Sequence, residues 1–147
     1  MHWLLCLLLL SAAAGCSSFT EPASASFASV TIKGHSAEEI IATTTQVFNE
    51  AGYRGKAADL KMVFDKEASK MATISRDGVV AAQEGARTVE LVRAELVPLP
   101  DTAYRLQCQA YMVSNANDPF MRDEVAKVNL RSRPYQALLD KVAKALK

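Results

Sequence analysis

The side chains best suited to catalysis or metal binding are scarce in this chain of 147 residues. Its histidines are His2 and His35, and its cysteines are Cys6, Cys16 and Cys108. A structural zinc site takes four cysteine or histidine ligands, and a catalytic one usually takes three protein ligands. Because the first fifteen residues form an apolar leader that we expect to be removed, too few ligands remain. We predict no metal, no cofactor and no disulfide within the mature domain.

A cysteine nucleophile is also unexpected. Cys108 alternates with Leu106 and Ala110, which places it on the core face of a predicted strand, where burial raises a thiol's pKa and makes it inert. His35 precedes Ser36, the predicted first residue of a helix whose dipole opposes a positive imidazolium. We interpret Cys108 as a core residue and His35 as a surface residue; a Cys–His pair is the alternative.

Other catalytic motifs are missing from the sequence. It has no Gly-x-Ser-x-Gly elbow and no glycine-rich phosphate loop, and its six glycines are scattered. The adjacent acids Glu38-Glu39 and Asp123-Glu124 are typical of first helical turns, although two carboxylates that converge in space would suit a hydrolase. The net charge of +1 lacks the basic excess of nucleic-acid binders. We predict a protein without catalytic residues and without a nucleic-acid partner.

The elements that carry these residues follow from apolar periodicity. Alternation predicts strands over 28–33, 60–65, 88–97 and 104–113, the last two joined as a hairpin around Pro98–Asp101. Val89 and Leu91 are out of phase with Val92, which predicts a bulge near Leu91. Residues 67–85 fit either a helix or a strand, with a turn at 76–78.

Three helices are predicted. The first begins at Ser36, where Ser36 and Glu39 form a capping box, and ends at Gly52. Asp118-Pro119 favours a short helix through about Val128, and Ser132 is the expected cap of a C-terminal helix. The whole pattern predicts an α+β two-layer sandwich: a mostly antiparallel sheet of about four strands, with one helix from the N-terminal half and the C-terminal helix on one face.

The other face of this sheet is predicted to be polar and is the most promising interaction surface. Arginine and tyrosine are favoured at binding hot spots. The alternative is a solvated face joined by cross-strand pairs. The candidate residues are Arg93, Arg105, Gln107, Gln109 and Tyr111.

The amino terminus carries the most specific motif. The apolar run from Trp3 to Leu10 is too short to span a bilayer, which takes about twenty residues. It is followed by Ala13-Ala14-Gly15-Cys16, which resembles the lipobox of bacterial lipoproteins. This resemblance implies cleavage between Gly15 and Cys16 and diacylation of Cys16. The alternative is an ordinary signal peptide cleaved near Ala14.

The resemblance also implies a location and an organisation of the chain. Ser17 is similar to the residue that follows the cysteine in lipoproteins sorted to the outer membrane. We predict a signal peptide over 1–15, a lipidated cysteine and tether over 16–27, and a single domain over 28–147. The ten small and polar residues of 17–26 would reach about 15–20 Å as a flexible chain, so the domain would lie close to the membrane.

We therefore expect an exported, lipid-anchored envelope protein without enzymatic activity, facing the periplasm and binding a protein or other envelope component near the membrane. A module that holds a small ligand or lipid between the sheet and the C-terminal helix, beside Leu106, Ala110 and Leu138, is the alternative.

Overall fold

A computed structural model describes residues 27–68, 74–75, 78–79 and 87–147. The predicted signal peptide, the cleavage site between Gly15 and Cys16, and the tether up to residue 26 lie outside the described residues. The same holds for most of the ambiguous stretch 67–85, including positions 76 and 77 of its predicted turn. Residues 74–75 and 78–79 are described as two short strands that pair antiparallel.

The described chain is an α+β fold with a mostly antiparallel sheet, as predicted, but with more strands. The main sheet has six strands rather than about four, in the order β1-β7-β6-β3-β2, and β8 pairs with β7 beyond the end of β1. In chain order the strands are β1 (Ala28–Lys33), β2 (Arg54–Ala58), β3 (Lys61–Glu67), β4 (Ile74–Ser75), β5 (Gly78–Val79), β6 (Val89–Leu99), β7 (Ala103–Ser114) and β8 (Asp123–Ala126).

The first helix, α1 (Ala37–Glu50), begins with the predicted capping box. The Glu39 amide donates to the Ser36 hydroxyl at 3.2 Å, and the Ser36 amide donates to the Glu39 carboxylate at 3.0 Å. The helix ends before Gly52, whose φ of +86° suits glycine, and the Tyr53 amide turns back to the Phe48 carbonyl at 3.0 Å. Local sequence alone is sufficient to define both ends of this helix.

The second helix, α2 (Arg133–Ala145), follows a single 3-10 turn at Asn129–Arg131. Ser132 was predicted to cap it, but its backbone is already helical and its side chain makes no capping hydrogen bond. Gln136 instead binds the edge strand β1: it accepts from the Ser29 amide at 3.1 Å and donates to the Ser29 carbonyl at 2.9 Å. The helix thereby satisfies backbone groups that an edge strand would otherwise leave open.

Both helices pack on one face of the sheet and enclose the main core. Phe48 on α1 stacks on Phe64 of β3 with ring centroids 4.3 Å apart. Burying such side chains is the main favourable contribution to folding. The completely buried members of this core are Ile40, Phe48, Met62, Phe64, Val92, Leu106, Ala110, Leu139 and Val142.

The predicted bulge near Leu91 is wrong. The register between β6 and β7 runs without interruption from Val89 opposite Val113 to Leu99 opposite Ala103. Val89, Leu91 and Val113 form a second, smaller core on the face away from the helices. The phase change in the sequence therefore marks a strand that is buried on both faces, because each face has its own apolar contacts.

Two strands were missed for different reasons. In β2 the residues are mostly exposed and lack apolar alternation, so only pairing with β3 defines it. The helix predicted from Asp118 to Val128 is wrong, and β8 lies there instead. β1 covers β7 only from Ala103 to Cys108, which leaves the backbone of Tyr111–Ser114 to be satisfied by another strand.

Candidate functional site

The five residues of the predicted interaction surface lie on one face of the sheet, opposite the helices. Arg93 on β6 stands across from Gln109 on β7, and Arg105, Gln107 and Tyr111 alternate along β7 on the same side. The strand alternation in the sequence thus grouped them on the correct face. Their side chains, however, differ in exposure and in what they bind.

Arg93 and Tyr111 hold β8 in place. The two terminal nitrogens of the Arg93 guanidinium, Nη1 and Nη2, contact the Glu124 carboxylate at 2.7 Å and 3.1 Å. The guanidinium carbon also lies 4.7 Å from the centre of the Tyr111 ring. A planar guanidinium suits both interactions, since it can pair with a carboxylate and stack on an aromatic ring. This arrangement crosses β7 and joins β6 to β8.

Gln109 and Arg105 are also less available than expected. The Gln109 amide donates to the carbonyls of Ala110 and Lys127, at 3.1 Å and 3.2 Å, where the chain leaves β8. Arg105 is only 9% exposed, and within the described ranges its Nε and Nη2 make no hydrogen bond. The prediction that Arg105 lies on a wet face is therefore wrong, because alternation gives the direction of a side chain and not what covers it.

A partly buried polar cluster, which the sequence did not reveal, lies on the helix side of the sheet. Glu90 on β6 accepts a hydrogen bond from the Tyr53 hydroxyl. Its carboxylate also forms an ion pair with Lys127 Nζ at 2.5 Å. Lys127 also donates to the Tyr135 hydroxyl at 2.6 Å. We call Tyr53, Glu90, Lys127 and Tyr135 the polar node. It joins β6 and α2 to the turn after α1, where Tyr53 lies, and to the segment after β8, where Lys127 lies.

The protonation states of the polar node follow from its contacts. Burial raises the pKa of Glu90, but the hydrogen bonds from Lys127 and the two tyrosines outweigh it and hold that pKa below its usual value. Burial and the adjacent Glu90 carboxylate raise the pKa of Tyr53 and of Tyr135. The carboxylate therefore stays charged and the phenols stay neutral near pH 7, which suits a structural connection better than acid–base catalysis.

The lowered pKa of Glu90 predicts acid sensitivity. A carboxyl group whose pKa is lower in the folded state adds stability above its unfolded pKa, about 4.3, and that stability is lost as the pH falls through the folded pKa. We expect wild-type protein to lose more unfolding free energy than Glu90→Gln between about pH 7 and pH 3. Urea unfolding followed by circular dichroism measures this, with Glu95→Gln as the control for a change in net charge. The same pH dependence in wild type and Glu90→Gln would contradict the prediction.

The two residues considered for covalent chemistry lie apart. Cys108 is 4% exposed, and burial raises the pKa of its thiol to about 12. It stands opposite Ala28 at the start of β1, whereas His35 follows the far end of that strand, about 17 Å away at strand spacing. His35 lies 3.4 Å from the Glu39 carboxylate. The geometry does not bring the thiol and the imidazole together.

The most exposed large apolar side chains cluster around β8. Phe120 is 97% exposed and Leu130 is 93% exposed, whereas most other large apolar residues of 27–68 and 87–147 are buried. Large apolar side chains that are exposed close together on a protein surface are a mark of binding sites. We call this set the apolar edge; it comprises Phe120, Met121, Val125, Val128 and Leu130.

The sequence prediction missed the apolar edge because it placed a helix there. The Asp118 carboxylate accepts from the amides of Phe120 and Met121, at 2.9 Å and 3.3 Å, which are the hydrogen bonds of a helix N-cap. The chain nevertheless makes only a turn there and enters β8 at Asp123. The sequence carries no signal against that helix, because Met121, Val125 and Val128 are four and three positions apart, as on one face of a helix.

The surface depression and the metal-ligating side chains of the described residues give little information about function. One surface depression of about 360 Å³ lies between the β2–β3 turn and β6, and its lining includes Asp59, Lys61 and Glu95. Within 27–68 and 87–147, no three His, Cys, Asp or Glu side chains form a group that could hold a metal ion. Neither α1 nor α2, the two α-helices of the described ranges, is long and apolar enough to cross a bilayer.

The chain shows no significant match to a protein-family model, to a curated protein or to a solved structure. The functional argument therefore depends on its own residues.

Proposed function

We propose that this chain is a lipid-anchored protein of the cell envelope, without enzymatic activity, whose domain binds an envelope component close to the membrane that holds its anchor. The resemblance of Ala13–Cys16 to a lipobox supports acylation of Cys16. Ser17 supports the outer membrane, facing the periplasm, as the location.

The observation that carries the binding role is the apolar edge. Phe120 and Leu130 protrude almost completely into solvent, and each fully buried side chain of this size stabilises a contact by about 1.5–3 kcal/mol. Their exposure leaves this free energy available to a binding partner. The polar face predicted from the sequence is the weaker candidate, since Arg93, Gln109 and Tyr111 already contact β8 or its exit.

The non-enzymatic part of the proposal rests on the separation of the reactive groups. The Cys108 thiol is buried with a raised pKa, and the charged groups of the polar node bind one another. The alternative of a small-ligand module has less support. Leu106 and Ala110 are completely buried and Leu138 is partly buried against the same core, so these three side chains contact the core.

A Cys16→Ser variant tests the anchor and the binding role together. We expect it to lose all fatty-acid labelling and to leave the membrane fraction or stay unprocessed. A photo-crosslinking residue in place of Phe120 is expected to capture an envelope component in intact cells when Cys16 is present, and to lose that product in Cys16→Ser. Labelling with a fatty-acid analogue, fractionation and gel analysis measure these outcomes.

The matched control is Cys6→Ser, which changes a cysteine of the same leader outside the motif. We expect it to leave labelling and crosslinking unchanged. Membrane association and acyl labelling that persist in Cys16→Ser would refute the anchor. Crosslinking that is as strong from position 63 as from position 120 would refute the binding role.

A further inference from the structure

The apolar edge has the side-chain pattern of a surface that meets a bilayer. Phe120 and Met121 are followed directly by Arg122, and Leu130 is followed by Arg131. In such a pattern the apolar side chains enter the boundary between headgroups and acyl chains, while the arginines extend to the headgroups.

The exposed charges along this edge are mainly basic. Arg122, Arg131 and Arg133 are exposed, and Arg122 also lies 3.9 Å from Glu124. Three acids lie along the same stretch: Asp118 is half-buried, Asp123 is exposed, and Glu124 is already paired with Arg93. With Arg93 included, four arginines stand against three carboxylates, which leaves a net charge of +1. A net positive edge complements the anionic headgroups of phospholipids.

The start of the domain lies beside this edge. Ala28 stands opposite Cys108 on β7, and the Lys127 amide donates to the Ala110 carbonyl on the same edge of β7 at 2.8 Å. These two positions on β7 are about 7 Å apart at strand spacing. The Phe27 ring also packs on Tyr135, with centroids 5.1 Å apart. The chain that leads to Cys16 therefore joins the domain next to the end of β8.

The length of that chain limits how far the domain lies from the anchor. From Cys16 to Phe27 the backbone spans at most about 40 Å when fully extended. Because it joins the domain beside β8, an anchored domain has this edge of the sheet within reach of the leaflet.

We propose that the apolar edge is a membrane-docking surface: Phe120 and Leu130 insert into the phospholipid leaflet that holds the Cys16 anchor, and Arg122, Arg131 and Arg133 bind its anionic headgroups. This inference rests on the proposed anchor and names the lipid leaflet as the envelope component. The domain then lies edge-on, with its helices and its polar face turned to the sides.

A bilayer fits this edge better than a protein that pairs with it as an added strand. Gln136 already binds the backbone of Ser29 in β1, and β8 offers an added strand only four residues for pairing. The apolar side chains also protrude separately along the chain. A lipid surface accepts protruding side chains at any spacing, whereas a protein would need matching pockets.

The test uses the acylated protein, purified and reconstituted into vesicles of pure phospholipid, with an environment-sensitive fluorophore on one introduced cysteine. Phe120→Cys and Leu130→Cys probe the edge. Val63→Cys is the matched control, since Val63 is 44% exposed on β3, two strands beyond β7. Cys108 is buried and Cys16 is acylated, so the dye reaches the introduced thiol.

We expect a blue shift of the emission and quenching by brominated acyl chains at positions 120 and 130, and neither at position 63. Both effects are expected to be larger with phosphatidylglycerol in the vesicles than with phosphatidylcholine alone. Circular dichroism checks that each variant is folded, and the probed side chains are too exposed for their loss to disturb the core.

Each other outcome is decisive. Water-like emission at 120 and 130 from protein that stays on the vesicles would overturn the docking surface and leave the anchor intact. Shielding in native envelope membranes but not in pure phospholipid would identify a protein partner and overturn the lipid assignment. Mass spectrometry that finds an unmodified Cys16 would overturn the proposed function itself.

Discussion

Replacing Lys127 with methionine is expected to lower the free energy of unfolding by about 2–3 kcal/mol, because it leaves a largely buried carboxylate without its cation. Lys127 Nζ lies 2.5 Å from Glu90 Oε2 and 2.6 Å from the Tyr135 hydroxyl, and the side chains of Lys127 and Glu90 are only 13% and 20% exposed. Methionine keeps the apolar stem and removes the charge, so the measured loss reports the ion pair. Urea unfolding near pH 7, followed by circular dichroism, measures it.

The matched control is Glu124→Gln, which weakens the more exposed ion pair to Arg93. There the expected cost is below about 1 kcal/mol, because solvent screens such a pair. Combining Lys127→Met with Glu90→Gln is expected to cost less than the two single changes added together, since the charge left behind by each is absent from the double variant. Equal losses for Lys127→Met and Glu124→Gln would contradict a buried node.

Gly55→Ala is the second change with a large expected effect, about 2–3 kcal/mol of lost stability from overpacking. Gly55 on β2 stands opposite Phe64 on β3, and a Cβ atom at Gly55 would lie 2.1 Å from Phe64 Cδ1. The Phe64 ring has little freedom to move aside, because it is completely buried and stacked on Phe48. Thermal and urea unfolding measure the loss.

A second variant separates the steric effect from any effect of β2 itself. In a Phe64→Leu background the ring is gone, so Gly55→Ala is expected to cost clearly less than in the wild type. Ala57→Val adds methyl groups at an exposed position of the same strand and is expected to change little. A full cost of Gly55→Ala in both backgrounds would rule out the Phe64 contact as its cause.

The two ion pairs act on the same strand from opposite faces of the sheet. Glu90 and Arg93 both lie on β6, and they reach across β7 to Lys127 and Glu124, at the end of β8 and within it. β8 is therefore held from both faces of the sheet, and it fixes the points from which the segments with Phe120 and Leu130 extend. Fixing these points lowers the conformational entropy that the apolar edge loses when it binds.

The sequence by itself determined the elements whose causes are local. The capping box at Ser36 and Glu39 and the glycine at 52 define α1 within one stretch of chain, because each hydrogen bond joins residues only a few positions apart. Alternation likewise placed Cys108 in the core and grouped Arg93 with Gln109 on the opposite face. The positions of Cys108, Arg93 and Gln109 follow from the alternation of apolar and polar residues, and this alternation can be recognised in a single sequence.

Only the tertiary structure decided the features that depend on residues far apart in the chain. Asp118-Pro119 favours a helix locally, yet Asp123–Ala126 forms a strand because it pairs with the backbone of Tyr111–Ser114, which β1 does not cover. Glu90 and Lys127 are 37 positions apart in the chain, so no local sequence pattern predicts their ion pair. The exposure of Phe120 and Leu130 follows from the same cause: once β8 pairs with β7, the segments on either side of it are left outside the core. Hydrogen bonding across the sheet outweighs local preference here, because a buried strand cannot leave its amides and carbonyls unsatisfied.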